Sequence, residues 1–200
     1  MSVAEKLSKP IYTVEEYLAL ERETHEKHEF YKGELFAMAG GSPNHVVITG
    51  NIFRELSNRL LPKGCRAFNS EMKIYIQPFD LYTYADACAL CGTPNFLKET
   101  DAIIDNPSLI VEVLSDSTED YDRSKKFLFY RALPSFNEYL LIRQDKPFVE
   151  YYAKLAEHKW LLTEVEGLSA KVHLKHLGIT IPMSKIYANV VFASASGLGL

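Results

Sequence analysis

Two hundred residues, 47% of them apolar and 24% charged, are enough for one globular domain that buries a sizeable core. No stretch approaches 18 consecutive apolar residues, so no membrane span is expected, and the polar start Met1 to Pro10 lacks the apolar centre of an export signal. A net charge of −4 argues against a protein that coats nucleic acid non-specifically, and three cysteines are an odd number for a disulfide framework, so a reducing cytoplasm is the expected compartment.

Residues 1–10 read as a flexible start. Thr13-Val14-Glu15-Glu16 has the spacing of a capping box and predicts a helix to about Glu23. Glu29 to Met38 reads as a hairpin turning at Lys32-Gly33. Ser42 is a good N-cap and Pro43 suits a first helical position, so a helix is expected to about Leu61, with Val46, Ile52, Phe53, Leu56 and Leu60 on its apolar stripe. Strands are expected at 66–70, 73–77, 85–91 and 109–114, the last two joined by a polar, exposed connection from Gly92 to Pro107. Ser117-Thr118-Glu119-Asp120 caps a helix that runs to about Ala132 and is ended by Pro134. Glu138 to Arg143 and Phe148 to Lys154 form a hairpin around Gln144-Asp145-Lys146-Pro147, with further strands at 158–164 and 171–174. Residues 191–200 read as a flexible tail. With no repeat and no linker, the economical architecture is one α/β or α+β domain over residues 11–190.

The feature most in need of explanation is Glu112, inside the apolar run Leu109-Ile110-Val111-Glu112-Val113-Leu114. A carboxylate left unpaired in a buried strand costs several kcal/mol, so it must be protonated, paired or metal-bound. Asp86 lies in a second apolar run, Tyr84 to Cys91. If the two strands are neighbours, the two acids can converge, and a hard divalent cation such as Mg²⁺ takes oxygen ligands of this kind together with water and substrate phosphate. Lys126, four residues after Asp122 on the helix that follows Glu112, is a candidate electrostatic assistant; the same spacing also serves a surface ion pair. Glu34 is either a third carboxylate or an exposed strand residue. His45, at helical spacing from Thr49, Ile52 and Leu56, is either a ligand or a hydrogen-bonded core residue.

Other signals carry less. Arg54, Arg59, Lys63 and Arg66, and again Arg123, Lys125, Lys126 and Arg131, form basic segments that are either binding surfaces or solvated faces. Cys88 and Cys91 form a CxxC without a second pair, and in a strand they point to opposite faces, which disfavours zinc. His25 and His28 lie beside acids without a zincin pattern, and no Gly-rich phosphate loop or GxSxG elbow is present.

In combination these residues resemble a known family. Tyr84-Ala85-Asp86, Pro107 to Ser115 and Tyr121-Asp122-Arg123-Ser124-Lys125-Lys126 are similar to the motifs of the Uma-type restriction-endonuclease family, long catalogued as a domain of unknown function within the PD-(D/E)XK nuclease superfamily. Tyr31-Lys32-Gly33-Glu34-Leu35, His45 and the segment from Tyr130 to Leu141 extend the resemblance over roughly residues 11 to 190. It implies a restriction-endonuclease-like α/β domain, a mixed central sheet flanked by helices, that hydrolyses phosphodiester bonds of nucleic acid, DNA in particular. It also implies that Asp86 and Glu112 hold Mg²⁺ or Mn²⁺ with help from the Val113 carbonyl, and that Lys126 takes the place of the superfamily lysine, with Lys125 its rival. The usual position for that lysine, two residues after the acid, is Leu114 here, and alanine replaces the proline that usually precedes the aspartate. Glu34 would match an early acid of many members, with His45 and Asp122 as accessories. A homodimer is expected by analogy with nucleases that cut both strands. The competing readings are a catalytically silent member that binds nucleic acid or protein, and a phosphoesterase acting on small molecules.

Overall fold

The first turn of structure forms as its spacing requires. Thr13 Oγ1 accepts from the Glu16 amide at 3.2 Å, and Glu16 Oε2 accepts from the Thr13 amide at 2.8 Å, starting α1 (Val14–Glu23). This computed structural model describes residues 11–24, 26–38, 40–97 and 102–192; the expected flexible start at 1–10, most of the expected tail (193–200) and His25 lie outside the described residues. The chain continues through the hairpin β1 (His28–Tyr31) and β2 (Glu34–Ala37), turned by Lys32 and Gly33, both at positive φ. Ser42 caps α2 (Pro43–Leu60), followed by β3 (Cys65–Asn69), β4 (Lys73–Ile76), β5 (Leu81–Tyr84), β6 (Ala87–Cys91), β7 (Ile103–Ile104) and β8 (Leu109–Leu114).

A second helical segment has three parts: α3 (Glu119–Tyr121), a π-helical turn (Asp122–Lys126) and α4 (Phe127–Tyr130). Then come β9 (Glu138–Arg143), β10 (Phe148–Ala156), β11 (Lys159–Glu166), β12 (Lys171–Leu174), β13 (Ile179–Pro182) and the short α5 (Met183–Ile186).

Two larger sheets share the strands: β2-β1-β5-β4-β7 and β11-β10-β9-β8-β6-β3, with β12-β13 a separate hairpin. The six-stranded sheet is mixed, because β8 and β9 run parallel while its other pairs are antiparallel. β8 is covered on both faces, which is why its sequence is a continuous apolar run. Leu109, Val111 and Val113 face a core made with Ile48, Ile52, Leu56 and Leu60 of α2. Ile110 and Leu114 face a second core made with Phe129, Tyr130, Phe136 and Tyr139. α1 closes the five-stranded sheet through Tyr17, which packs on Phe30 and Tyr82. No helix among the described residues is long and apolar enough to cross a membrane.

Four local expectations are corrected. The strand expected over 85–91 is broken at Ala85-Asp86, where the chain leaves one sheet and enters the other. The connection expected to be exposed contains the buried Ile103 and Ile104, which pair with β4. Val46, placed on the apolar stripe of α2, is 61% exposed, because the buried row runs through Ile48, Ile52, Leu56 and Leu60. The helix capped near Ser117 is interrupted by the π-turn and ends at Tyr130, two residues early. β13 and α5, for which no element was expected, complete the C-terminal part.

Candidate functional site

β6 and β8 are antiparallel neighbours, with Ala87 opposite Val111. Continuing that register by one step sets Asp86 across from Glu112. The strand has already broken at Asp86, so its side chain takes over the bonding of the lost ladder: Oδ2 accepts the Val113 amide at 2.7 Å. The break between the sheets therefore delivers Asp86 to Glu112, where an unbroken strand would have used the Val113 amide for backbone pairing.

Glu112 points to the α4 side of β8 and is only 3% exposed. Its Oε1 accepts from the Tyr130 hydroxyl at 2.8 Å and lies 2.9 Å from Lys126 Nζ. Lys126 in turn lies 3.6 Å from Asp122 Oδ1 and 3.8 Å from Glu29 Oε1. The π-turn carries both Asp122 and Lys126, and both are buried; an insertion of this kind in a helix commonly marks a functional segment. The Tyr139 hydroxyl donates to the Asp122 carbonyl oxygen at 3.0 Å, tying the turn to β9. Glu29 is held by the Thr83 hydroxyl and, at 3.2 Å, by the Tyr121 hydroxyl.

His45 stands in the first turn of α2 with Nε2 3.2 Å from Asp86 Oδ2. A Cβ at Gly41 would come within 2.5 Å of the His45 ring, so glycine there lets the loop close over the imidazole. His45 and Asp86 also form part of the wall of a cleft of about 580 Å³.

The electrostatics follow from the count of charges. Three carboxylates surround one ammonium, and Asp86 is a fourth close by. Burial pushes the Glu112 carboxyl well above the usual carboxylate range; Lys126 pulls it back, and Asp122 and Asp86 raise it again. Burial likewise raises Asp122. Burial alone would lower Lys126, but Glu112, Glu29 and Asp122 hold its ammonium well above the usual lysine value. For His45 the same balance falls upward: burial disfavours the charged ring, and the hydrogen bond and charge of Asp86 outweigh it. The Tyr130 hydroxyl, raised by burial and by Glu112, stays a donor. With several carboxyl groups buried around one ammonium, the centre holds protons tightly.

The donor set fits a hard divalent ion. The bonds to Asp86 both fall on Oδ2 and those to Glu112 both on Oε1, so the second oxygen of each takes no part in them. No cluster of three or more His, Cys, Asp or Glu forms a ready-made metal cage among the described residues. Mg²⁺ does not require one, since it keeps several waters and is commonly held by one or two carboxylates plus substrate phosphate.

The structure thus brings together Asp86, Glu112, Asp122, Lys126 and His45. Val113 joins through its amide, donated to Asp86. Lys125 is exposed on the outer side of the π-turn. Glu34 is exposed beside the hairpin turn, opposite Tyr31, while Glu29, two positions deeper on the neighbouring strand, reaches Lys126. Glu29 escaped sequence reasoning, although it carries the same signal as Glu112: an acid next to a residue, Phe30, that has to be buried. Tyr130 and Tyr121 carried no signal, since a tyrosine in an aromatic-rich segment reads as core.

Known proteins share this arrangement of strands and helices. A model of the Uma2 family, described as "Putative restriction endonuclease", matches residues 14–184. Two uncharacterized proteins of Synechocystis sp., sll1609 and slr1290, are 38% and 37% identical over 169 and 183 residues. Those alignments cover 84% and 92% of this chain and 96% and 95% of the relatives. A crystal structure described as that of a "putative nuclease belonging to DUF820" from Anabaena variabilis has the same fold, with a TM-score of 0.71 at 18% identity over 90% of this chain and 99% of that one. By the span of the family match and the near full-length relatives, the chain belongs to the Uma2 family.

Proposed function

We propose that this protein is a metal-dependent endonuclease that hydrolyses phosphodiester bonds of DNA, with Asp86 and Glu112 as the metal-holding carboxylates. The observation that carries the reading is the convergence of Asp86, Glu112 and Lys126, from the break between the two sheets, strand β8 and the π-turn, on one point where several carboxyl groups surround a single ammonium. When bound, Mg²⁺ or Mn²⁺ would supply Lewis-acid stabilisation of the attacking and leaving oxygens. Asp86 is oriented for this by the Val113 amide and by His45, and Glu112 by Tyr130. The Val113 carbonyl is proposed as an additional donor. Lys126 keeps a fixed positive charge where the phosphate would lie, which favours the build-up of negative charge on the phosphoryl oxygens. Glu29 and Asp122 keep Lys126 protonated and in place. Lys125 and Glu34, both exposed, are assigned no role in this reading.

A supercoiled-plasmid nicking assay with and without Mg²⁺ tests the reading. Nicking that requires the metal and falls by roughly 10²–10³-fold in both Asp86→Ala and Glu112→Ala supports it. Metal-independent binding without cutting would assign the protein to the silent binders, and phosphate release from small esters alone to the phosphoesterases. Cutting both strands of a duplex calls for two such centres and hence a homodimer; cutting one strand does not, and sedimentation with and without DNA decides between them.

A further inference from the structure

We infer that the cleft beside Asp86 holds one unpaired nucleotide of the substrate strand, so that the protein cuts single-stranded or locally opened DNA in preference to intact duplex. The inference rests on the nuclease reading above and adds the form of the substrate.

Access is the first argument. Glu112, Asp122 and Lys126 are 3%, 3% and 6% exposed, whereas Asp86 and His45 stand in the wall of the cleft. A phosphodiester reaching the acids by this route enters past Asp86. The cleft, about 580 Å³, lies within the range of small-molecule pockets, roughly 300–1,000 Å³. That is room for a single nucleotide.

The lining suits a base. Met38 and Val46, 39% and 61% exposed, give it apolar walls. Thr49, half-buried, adds a polar residue to the lining. The lining does not suit a duplex backbone. Its acids are Glu26 and Asp86, and its one lysine, Lys27, is engaged by the Ser70 carbonyl oxygen at 2.9 Å and by Glu71. Duplex affinity comes chiefly from phosphate neutralisation, which a chain of net charge −4 with this lining supplies poorly. Contacts to the faces and edges of unpaired bases do not depend on it to the same degree. A base that is already unpaired also enters without the cost of unstacking.

Three forms of one fluorescein-labelled DNA test this: the single strand, the fully paired duplex, and the duplex with a central unpaired loop. Binding is read by anisotropy in EDTA, and cutting on gels with Mg²⁺ or Mn²⁺. The expected result is binding of the single strand and of the looped duplex about tenfold or more tighter than the paired duplex, with cutting of the looped duplex confined to its loop. Equal or better binding and cutting of the paired duplex would overturn the inference and leave the nuclease reading intact. Absence of binding and cutting of all three would overturn both. Val46→Asp puts a charge on the exposed apolar wall of the cleft. It is expected to raise Kd and KM for the single strand several-fold with kcat and Tm unchanged; unchanged Kd and KM would overturn this account of the cleft.

Discussion

Lys126 Nζ and Glu112 Oε1 lie 2.9 Å apart in the interior, and the same ammonium is the shared partner of Asp122 and Glu29. A buried ion pair contributes little net stability against an apolar substitute, but removing one member leaves the other charge buried and unpaired. In this centre removal of the lysine leaves three carboxylates facing one another. Lys126→Met is therefore expected to destabilise the protein by roughly 3–5 kcal/mol, read as a lower urea midpoint, and to abolish cutting. Glu112→Gln keeps the shape and removes one of those carboxyls, so it should cost activity without a comparable loss of stability. Equal urea midpoints for wild type and Lys126→Met would contradict the assignment of Lys126 as the charge that holds the centre together.

The raised carboxyls predict how metal and pH interact. Glu112 and Asp122 are held above the ordinary carboxylate range, so between about pH 4 and their raised values the folded, metal-free protein binds protons that the unfolded chain has released. The stability this contributes is present at the acid end of that window and is lost as pH rises through the raised values. Mg²⁺ held by Glu112 would require its deprotonated form and displace its proton, so the apparent affinity should rise with pH over the same window. Thermal melts at several pH values with and without Mg²⁺ test this. The metal should raise Tm, by the equivalent of about 2.7 kcal/mol at a hundred times Kd, and the increment should shrink toward acid pH. An increment independent of pH would show that Glu112 is not a ligand.

Two pairs of neighbouring residues separate the site from its surroundings. Glu29→Gln removes a charge that helps hold Lys126 and should lower cutting about 10–100-fold, whereas Glu34→Gln, at the exposed end of the same hairpin, should leave it unchanged. By the same reasoning Lys125→Ala should be within about 0.5 kcal/mol of wild type and fully active, in contrast to Lys126→Met. Loss of activity in Glu34→Gln or Lys125→Ala at normal stability would redraw the site around those residues.

These pairs also mark where the sequence stops being informative. Asp86 and Glu112 were legible because a charge in an apolar strand has no inexpensive explanation, and α1, α2 and the β9–β10 hairpin because caps, prolines and turns act locally. The π-turn was not legible: Asp122 and Lys126 have ordinary i, i+4 spacing, and the extra residue in the helix is set by what packs around it, including the Tyr139 hydroxyl on the Asp122 carbonyl. Glu29 and Glu34 both belong to a short hairpin, and only the pairing of β1 with β5 decides which of them faces the core. The break at Asp86 is a tertiary event as well. Its run reads as one strand, and the change of sheet at Ala85 depends on strands distant in sequence.

The cysteines give the last prediction. An odd count does not exclude a single bridge, and Cys65 faces Cys91 at the end of the β3–β6 pair, where the structure joins them in a disulfide spanning 26 residues. Closing a loop of that length should stabilise the protein by about 3–4 kcal/mol, chiefly through the unfolded chain. Cys88, on the other face of β6, stays a thiol, and burial together with the Glu112 charge pushes it up to about 12, which makes it inert in the folded state. Protein purified without reductant should therefore show one titratable thiol, and only after unfolding; with reductant it should show three. Its Tm should fall on reduction to that of Cys65→Ala, which should itself be insensitive to reductant. Three thiols in the untreated protein, with a Tm that reductant does not change, would mean that the pair stays reduced and that β3 is held to β6 by its ladder alone.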